Sequence, residues 1–273
     1  MNRENNSADL FLGTSGYSYN DWKHVFYPDN LPKNQWLRYY CKFFNAVELN
    51  FSFYRIPSSS IFKSMSEQVP ENFQFIVKMH QSITHQFKKD ESILSAFHDA
   101  IEPFKNESKF GGYLFQFPYS FKYSRQSADL IKWICGYFRQ EKCFFEFRHV
   151  SWLKEDLFEY LNREKQGFVI VDEPKLNGLL PPVIKLISGE GYIRFHGRNK
   201  TNWWKGNNEE RYNYLYSSDQ LEKWYHEITK ILKISYKMFI FFNNHPQGKA
   251  VKNAQMLKQM ITGESNEASH TEL

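Results

Sequence analysis

Eight short apolar runs alternate with helical stretches along the chain, and this alternation constrains the fold more than any other feature of the sequence. Most runs are apolar on both faces, as expected of parallel strands that are covered on both sides. A regular succession of strand and helix without a break in composition predicts one parallel α/β domain. Eight such units that close on themselves make a (β/α)8 TIM barrel, and 273 residues suit one barrel of about 250 residues.

The predicted strands lie, in chain order, at 10–14, 46–50, 73–78, 112–117, 143–148, 168–172, 191–196 and 237–242. Helices are predicted over 33–44, 58–68, 91–100, 127–138, 152–165, 219–232 and 250–260, with only a weak segment after the sixth strand. An open doubly wound sheet is the alternative, but no GxGxxG follows the first strand. We therefore predict a single TIM-barrel domain over 1–262 and a disordered C-terminal tail over 263–273.

The composition excludes two classes of protein. With 41% hydrophobic and 24% charged residues, the chain is expected to be neither intrinsically disordered nor a membrane protein. No signal-peptide core begins the sequence and no window of about 18 residues is continuously apolar, so no membrane partner is expected. The cysteines Cys41, Cys135 and Cys143 show no CxxC spacing, which indicates reduced thiols and a cytoplasmic protein.

Polar side chains stand at the ends of the predicted strands, where TIM barrels carry their chemistry. Because side chains two apart on a strand share a face, Glu146 and Arg148 should point the same way, as should His196 and Arg198. We expect the polar set to converge at one barrel mouth. An ion pair that plugs the barrel end is the alternative for any single member. The set comprises Thr14, Ser15, Glu48, Asn50, Lys78, Gln116, Glu146, Arg148, Asp172, Arg194, His196, Arg198, Asn243 and Asn244.

Eight segments of the chain resemble the YecE-like family, also called domain of unknown function 72. They are GTSGYSYNDW, FYP, VELNFSFYR, ITH, LFQFP, EFRHVSW, RFHGR and AVKNA, between about residues 10 and 261. The resemblance implies a TIM barrel and no firmly established activity. Tyr17 stands where many members have Trp, Asn243 and Asn244 where many have Asp and Asn, and Glu173 where a small residue is usual.

Metal ligation is one chemistry that the strand ends suggest. Glu48, Glu146, Asp172 and His196 carry donor atoms that Mg²⁺, Mn²⁺ or Zn²⁺ use. No HxH or HExxH motif exists, and the nearby arginines can compensate the acids without a metal. We therefore predict no metal site and no cofactor.

Anion binding is favoured instead, and the net charge of +5 permits it. The guanidinium groups of Arg148 and Arg198 match phosphate in a bidentate manner, with His196 expected between them. Lys78 adds a cation, for which a salt bridge to Glu48 is preferred over a Schiff-base role.

A long polar loop over 197–217 carries five aromatic residues after the seventh strand: Trp203, Trp204, Tyr212, Tyr214 and Tyr216. Basic residues interleaved with aromatics suit stacking on bases or sugars, and loops of this length are often functional. Tyr17, Tyr19, Trp22 and Tyr54 could line the same cleft. An ordered lid packed on the barrel rim is the alternative.

These observations lead to a prediction of an enzyme that acts on a small anionic ligand bearing phosphate, such as a sugar phosphate or nucleotide. The expected reaction is phosphoester hydrolysis or sugar-phosphate chemistry with Glu48, Glu146 and His196 as catalytic acid/base groups. The alternative is a noncatalytic nucleic-acid-binding protein that uses the loop 198–205; a plugged, inert barrel is a third possibility, and the oligomeric state stays open. The predicted substrate-binding residues are Tyr17, Trp22, Asn50, Tyr54, Lys78, Gln116, Arg148, Asp172, Arg198, Tyr212 and Asn243.

Overall fold

A parallel sheet that curls into a barrel forms the centre of the computed structural model, which describes residues 8–263. Its strands pair in the order β6-β5-β4-β3-β2-β1-β9-β8-β7. The strands are β1 Asp9–Ser15, β2 Ala46–Leu49, β3 Gln74–Lys78, β4 Phe110–Gln116, β5 Cys143–Glu146, β6 Gly167–Phe168, β7 Ile170–Asp172, β8 Glu190–Phe195 and β9 Lys237–Phe242. Apart from Gly263, the predicted disordered tail lies outside the described residues.

Helices surround the sheet and follow most strands. They are α1 Trp36–Tyr40, α2 Ser59–Ser66, α3 Gln81–Thr84, α4 Glu91–Ala100, α5 Glu102–Asn106, α6 Arg125–Tyr137, α7 Glu155–Arg163, α8 Asn208–Tyr212, α9 Ser218–Leu232 and α10 Lys249–Thr262. None of the described helices is long and apolar enough to cross a membrane.

The sheet has nine strands rather than the predicted eight because the sixth apolar run is divided. Its first half, β6, pairs with β5, whereas its second half, β7, pairs with β8. Val169 lies between the halves, and its backbone N–H still donates to the carbonyl oxygen of Phe145 at 3.0 Å. The change of partner at this residue brings the two ends of the sheet together and leaves the barrel nearly closed.

Three predicted helices are shorter in the structure, and the second of them, predicted over 58–68, is α2 Ser59–Ser66. The first begins with a 3₁₀ turn over Lys33–Gln35, so that α1 starts at Trp36. The fifth begins later than predicted, because Val150–Trp152 form a separate 3₁₀ turn ahead of α7. Within the described residues no helix joins β7 to β8, in keeping with the weak pattern of that segment.

The barrel interior is built in two levels. Towards the amino ends of the strands, rings of Phe144, Tyr192 and Phe239 pack together, with centroids of Phe144 and Tyr192 4.8 Å apart. Above this aromatic level lie Glu48 and Arg194, both essentially inaccessible to solvent. Parallel strands place all their carboxyl ends at the same mouth, so these charges lie directly beneath it.

Candidate functional site

An ion-paired layer closes the barrel below its mouth. Arg194 of β8 reaches across the interior, donating from Nη1 to Glu146 Oε2 and from Nη2 to Glu48 Oε1, each at 2.5 Å. The second carboxylate oxygen of Glu48 accepts from the Tyr192 hydroxyl at 2.7 Å. As strand alternation predicts, the glutamates of β2 and β5 and the arginine of β8 therefore meet in the barrel interior.

A second tier of charged groups lies around Arg148, next to this layer. Arg148 donates from Nε to Glu146 Oε1 and from Nη1 to Glu173 Oε2, both at 2.6 Å. Its Nη2 atom lies 3.1 Å from Nε2 of His196. Nδ1 of His196 lies 3.1 Å from the amide nitrogen of Asn243, and its Nε2 lies 3.3 Å from Glu146. The Arg148 guanidinium and the Asn243 amide nitrogen both present N–H donors to His196, whose neutral ring has one acceptor nitrogen.

Burial and neighbouring charges fix the protonation of these groups. Burial acts to raise the pKa of Glu146, but Arg148 and Arg194 outweigh it and hold that pKa well below the usual range. Burial, followed by the charge of Arg148, lowers the pKa of His196 to about 3. Burial raises the pKa of Glu173 to about 8, against the opposing effect of Arg148 and with reinforcement from Glu146. Near neutral pH the histidine is therefore neutral and Glu173 is mostly protonated.

A cavity of about 950 Å³ opens above these tiers at the carboxyl ends of the strands. Among the described residues, six basic side chains and no aspartate or glutamate line it; the basic ones are Arg55, Lys78, His85, Arg148, Arg211 and His245. Aromatic rings supply much of the remaining wall: Tyr17, Tyr19, Phe51, Phe53, Tyr54, Tyr119, Trp203, Trp204 and Tyr212. The volume suits a small molecule, and the lining combines positive charge with flat apolar surfaces.

Lys78 ends β3 and faces this cavity. Its Nζ atom lies 4.5 Å from the centroid of the Phe53 ring. The predicted salt bridge to Glu48 does not form, because both oxygens of Glu48 are engaged by Arg194 and Tyr192. Burial lowers the pKa of Lys78 to about 8, and the charge of Arg194 acts in the same direction. In the described part of the chain no acidic group forms an ion pair with its ammonium.

Five more of the predicted substrate-binding residues line the cavity: Tyr17, Asn50, Tyr54, Gln116 and Tyr212. Asn243 does so as well while bonding His196. The Oδ1 atom of Asn50 is buried and accepts no hydrogen bond from the residues that the structure describes. Asn50 thus carries a buried acceptor with no partner among the described residues in a side chain that lines the cavity.

The prediction that Asp172 and Arg198 face the mouth is wrong. Asp172 accepts hydrogen bonds from the Tyr216 hydroxyl at 2.8 Å and from the Trp224 indole at 2.7 Å, in the layer of α9. Arg198 binds the same carboxylate through Nε at 2.8 Å and Nη2 at 2.5 Å. Gly197, with a φ of +87°, turns the chain after β8, so strand alternation no longer applies to Arg198. Arg148 lines the cavity, whereas Arg198 is not part of its wall.

Trp22 does not line the cavity either. Its ring is completely buried, and its indole nitrogen donates to the carbonyl oxygen of His245 at 2.8 Å. The predicted catalytic residues Glu48, Glu146 and His196 are fully buried and are absent from the cavity wall. Their catalytic role stays a prediction. They can influence a ligand in the cavity only through side chains that line it, such as Arg148.

The loop over 197–217 is an ordered cover on the barrel rim, the alternative considered for it above. Trp203 is buried, with its ring edge-on to Tyr212 and 5.8 Å from the Arg148 guanidinium. Trp204 is half exposed and packs edge-on to Tyr119. The loop thus supplies one wall of the cavity.

Sequence reasoning missed four basic residues of the cavity: Arg55, His85, Arg211 and His245. They lie in connections after β2, β3, β8 and β9, where strand periodicity gives no signal. The segments VELNFSFYR and ITH contain Arg55 and His85 and were the available hints. Nowhere in 8–263 do three His, Cys, Asp or Glu side chains form a group that could hold a metal ion.

Comparison with known proteins identifies the family. The model of the protein family of unknown function DUF72 matches residues 11–272, so the chain belongs to the DUF72 family. It is 30% identical to the UPF0759 protein YunF of Bacillus subtilis (strain 168) over 269 residues, which cover 92% of this chain and 94% of that protein.

Solved structures of the same family show the same fold. A DUF72 family protein from Thermotoga maritima MSB8 is 37% identical, with a TM-score of 0.86 over 93% of this chain and 99% of that one. A second, from Enterococcus faecalis V583, is 22% identical, with a TM-score of 0.84 over 97% and 99%. These relatives show the fold and the family and leave the activity open.

Proposed function

We propose that this DUF72 family protein is an enzyme that binds a small anionic ligand in the cavity at the carboxyl ends of its strands. The observation that carries the proposal is the lining itself, in which basic side chains occur and, among the described residues, no acid does. A cavity with one sign of charge and apolar walls concentrates ligands of the opposite sign.

The charge balance beneath the cavity supports an anion above it. The carboxylates of Glu48 and Glu146 balance the guanidinium groups of Arg194 and Arg148, to which they are bonded. With Glu173 mostly protonated, as its raised pKa of about 8 requires, these four charges cancel. The ammonium of Lys78 is then left over, and an anionic group of the ligand is its natural partner.

The ring-rich wall supports a ligand with a flat part. Tyr54 and Trp204 are 64% and 50% exposed, so their faces are available for stacking. Exposed rings next to cations suit sugars or bases that carry phosphate. The unused acceptor of Asn50 would take a hydroxyl or N–H donor of such a ligand. A sugar phosphate or a nucleotide has all three features: an anionic group, a flat part and a hydrogen-bond donor.

In this proposal Glu48, Glu146 and His196 position other side chains, instead of acting as the predicted acid/base groups. Glu146 and His196 contact Arg148, which lines the cavity, and hold it in one orientation, while Glu48 holds Arg194. A fixed guanidinium can bind an anion without reorganisation when the ligand arrives.

Nucleic-acid binding through the loop 198–205 has less support. Arg198 is tied to Asp172, and Trp203 is buried, which leaves Lys200, Trp204 and Lys205 exposed in that segment. A strand of nucleic acid needs a longer track of available cations and rings.

Thermal unfolding with and without ligand tests the proposal, since a ligand that binds only the folded state raises the melting temperature. Phosphate, sugar phosphates and nucleotides should stabilise the wild type, and Lys78→Met should lose most of this effect. Lys205→Met, which removes an exposed lysine outside the cavity, is the matched control and should respond like the wild type. If no phosphate compound shifts the melting curve, or if Lys78→Met responds fully, the proposal is wrong.

A single-stranded oligonucleotide titrated at several salt concentrations separates the two ligand classes. The alternative function requires tight, steeply salt-dependent binding that Lys205→Met weakens and Lys78→Met does not.

A further inference from the structure

We propose that Lys78 is a nucleophile that condenses with a carbonyl group of the ligand to form an imine, an inference that rests on the ligand cavity proposed above. The ligand class is thereby narrowed to small anionic aldehydes and ketones, such as keto acids and carbonyl-bearing sugar phosphates. Lys78 would then be a catalytic residue rather than only an electrostatic one.

The position of the amine is the first argument. Lys78 stands at the carboxyl end of β3 and lines the cavity in which a ligand is proposed to bind. The ring of Phe53, 4.5 Å away, provides an apolar surface on one side of the nitrogen. In the described part of the chain no acid forms an ion pair with Lys78, and both oxygens of Glu48 are bonded to Arg194 and Tyr192.

The absence of a carboxylate partner matters for reactivity. A salt bridge favours the charged ammonium, which has no lone pair and cannot attack a carbonyl carbon. Burial and the positive charge of Arg194 do the opposite and lower the pKa of Lys78 to about 8. A substantial fraction of the side chain is therefore the neutral amine near physiological pH.

An uncharged imidazole lies on the same wall. His85 lines the cavity, and its ring packs edge-on to Phe53 with centroids 4.7 Å apart. Its Nδ1 atom is 3.0 Å from the hydroxyl of Thr84. Burial, followed by the charge of Lys78, lowers the pKa of His85 to about 4, so the ring is neutral and adds no positive charge to this wall.

The condensation balances without an oxidant or reductant. The lone pair of the Lys78 nitrogen forms a bond to the carbonyl carbon, and the C=O π electrons move to oxygen. One N–H proton is transferred to that oxygen, giving a carbinolamine. The hydroxyl then leaves as water with a second proton, and the nitrogen lone pair completes the C=N bond. Amine and carbonyl thus give imine and water.

Reductive trapping tests this role. Pyridoxal 5′-phosphate, an anionic aldehyde, is incubated with the whole protein, and borohydride converts any imine into a stable secondary amine that peptide mass spectrometry locates. We expect Lys78 to be labelled about tenfold or more faster than Lys63, an exposed lysine of α2, at about pH 7.5, because the lowered pKa of Lys78 gives it a substantial neutral fraction and the cavity holds the anionic aldehyde next to it. Inorganic phosphate should slow the labelling of Lys78 and leave that of Lys63 unchanged.

Lys78→Arg keeps the positive charge but removes the nucleophile, and its thermal unfolding reports whether the fold is intact. Label spread evenly over exposed lysines, with Lys78 no faster than Lys63, would overturn the inference. If Lys78 is not labelled faster but phosphate still stabilises both the wild type and Lys78→Arg, the anion-binding proposal stands and only the inference of imine formation is refuted. If Lys78 is trapped but no anion affects stability or labelling, the nucleophile stands and the anionic ligand class is wrong.

Discussion

Replacing Glu146 by glutamine should destabilise the protein strongly, because this carboxylate joins both tiers of buried charge. It accepts from Arg194 at 2.5 Å and from Arg148 at 2.6 Å, and it lies 3.3 Å from His196. The amide of glutamine keeps the size and loses the charge, which leaves one buried guanidinium charge uncompensated. Removing one partner of a buried ion pair costs about 3–5 kcal/mol.

Urea denaturation followed by circular dichroism at about pH 7 measures this cost. Glu227→Gln is the matched control, because Glu227 pairs with Lys230 across one turn of α9 at the surface, with the lysine side chain 69% exposed. Exposed pairs contribute about 0–1 kcal/mol, so this control should unfold almost like the wild type. A loss below about 1 kcal/mol for Glu146→Gln would refute the view that Glu146 compensates two buried arginines.

Three further predictions concern Glu173 in the second tier, Asp172 next to α9, and Trp203 in the loop over 197–217. The pKa of Glu173 rises from 4.5 to about 8 on folding, so its contribution to stability is complete below the unfolded pKa and is lost as the pH rises through about 8. Glu173→Gln should therefore lose less melting temperature than the wild type between about pH 5 and pH 9, and equal losses would contradict the assignment. Asp172→Asn should destabilise the protein, since it weakens the bonds to Tyr216 and Arg198. The phosphate-induced rise in melting temperature should stay unchanged, and its loss would show that Asp172 contributes to ligand binding. Trp203→Ala should weaken this rise, because it removes a wall of the cavity, and an unaltered rise would show that the loop does not contact the ligand.

Strand and helix alternation was sufficient to predict the barrel-like fold, because parallel strands covered on both faces leave continuous apolar runs. The run at 237–242 and the helix at 91–100 have the predicted bounds. The division of the sixth run at Val169 was not predictable, since the partner of each half is decided by the closure of the whole sheet.

The candidate site was predictable only where strands stay regular. Alternation correctly brings Glu48, Glu146 and Arg194 into the barrel interior. It fails at Arg198, where the positive φ of Gly197 ends the period of two. It places side chains on the inner face but does not say which of them pair, such as the Tyr192 hydroxyl with the second oxygen of Glu48.

The cavity lining depends on connections whose paths no local pattern describes. Arg211 comes from a helix of five residues within the long loop, and Arg55 follows a 3₁₀ turn after β2. Strand periodicity gives no signal for either residue. The acid-free character of the wall emerges only when these residues and Lys78 are brought together in three dimensions.

Calorimetric titration with inorganic phosphate and a nucleoside monophosphate tests the central claim, that an uncompensated cation in the cavity binds an anion. The wild type and Lys205→Met should give saturable heats with similar affinities, whereas Lys78→Met should bind about tenfold or more weakly, as expected for the loss of a charge-assisted contact. No saturable heat with either ligand, or equal affinity for Lys78→Met, would contradict the account.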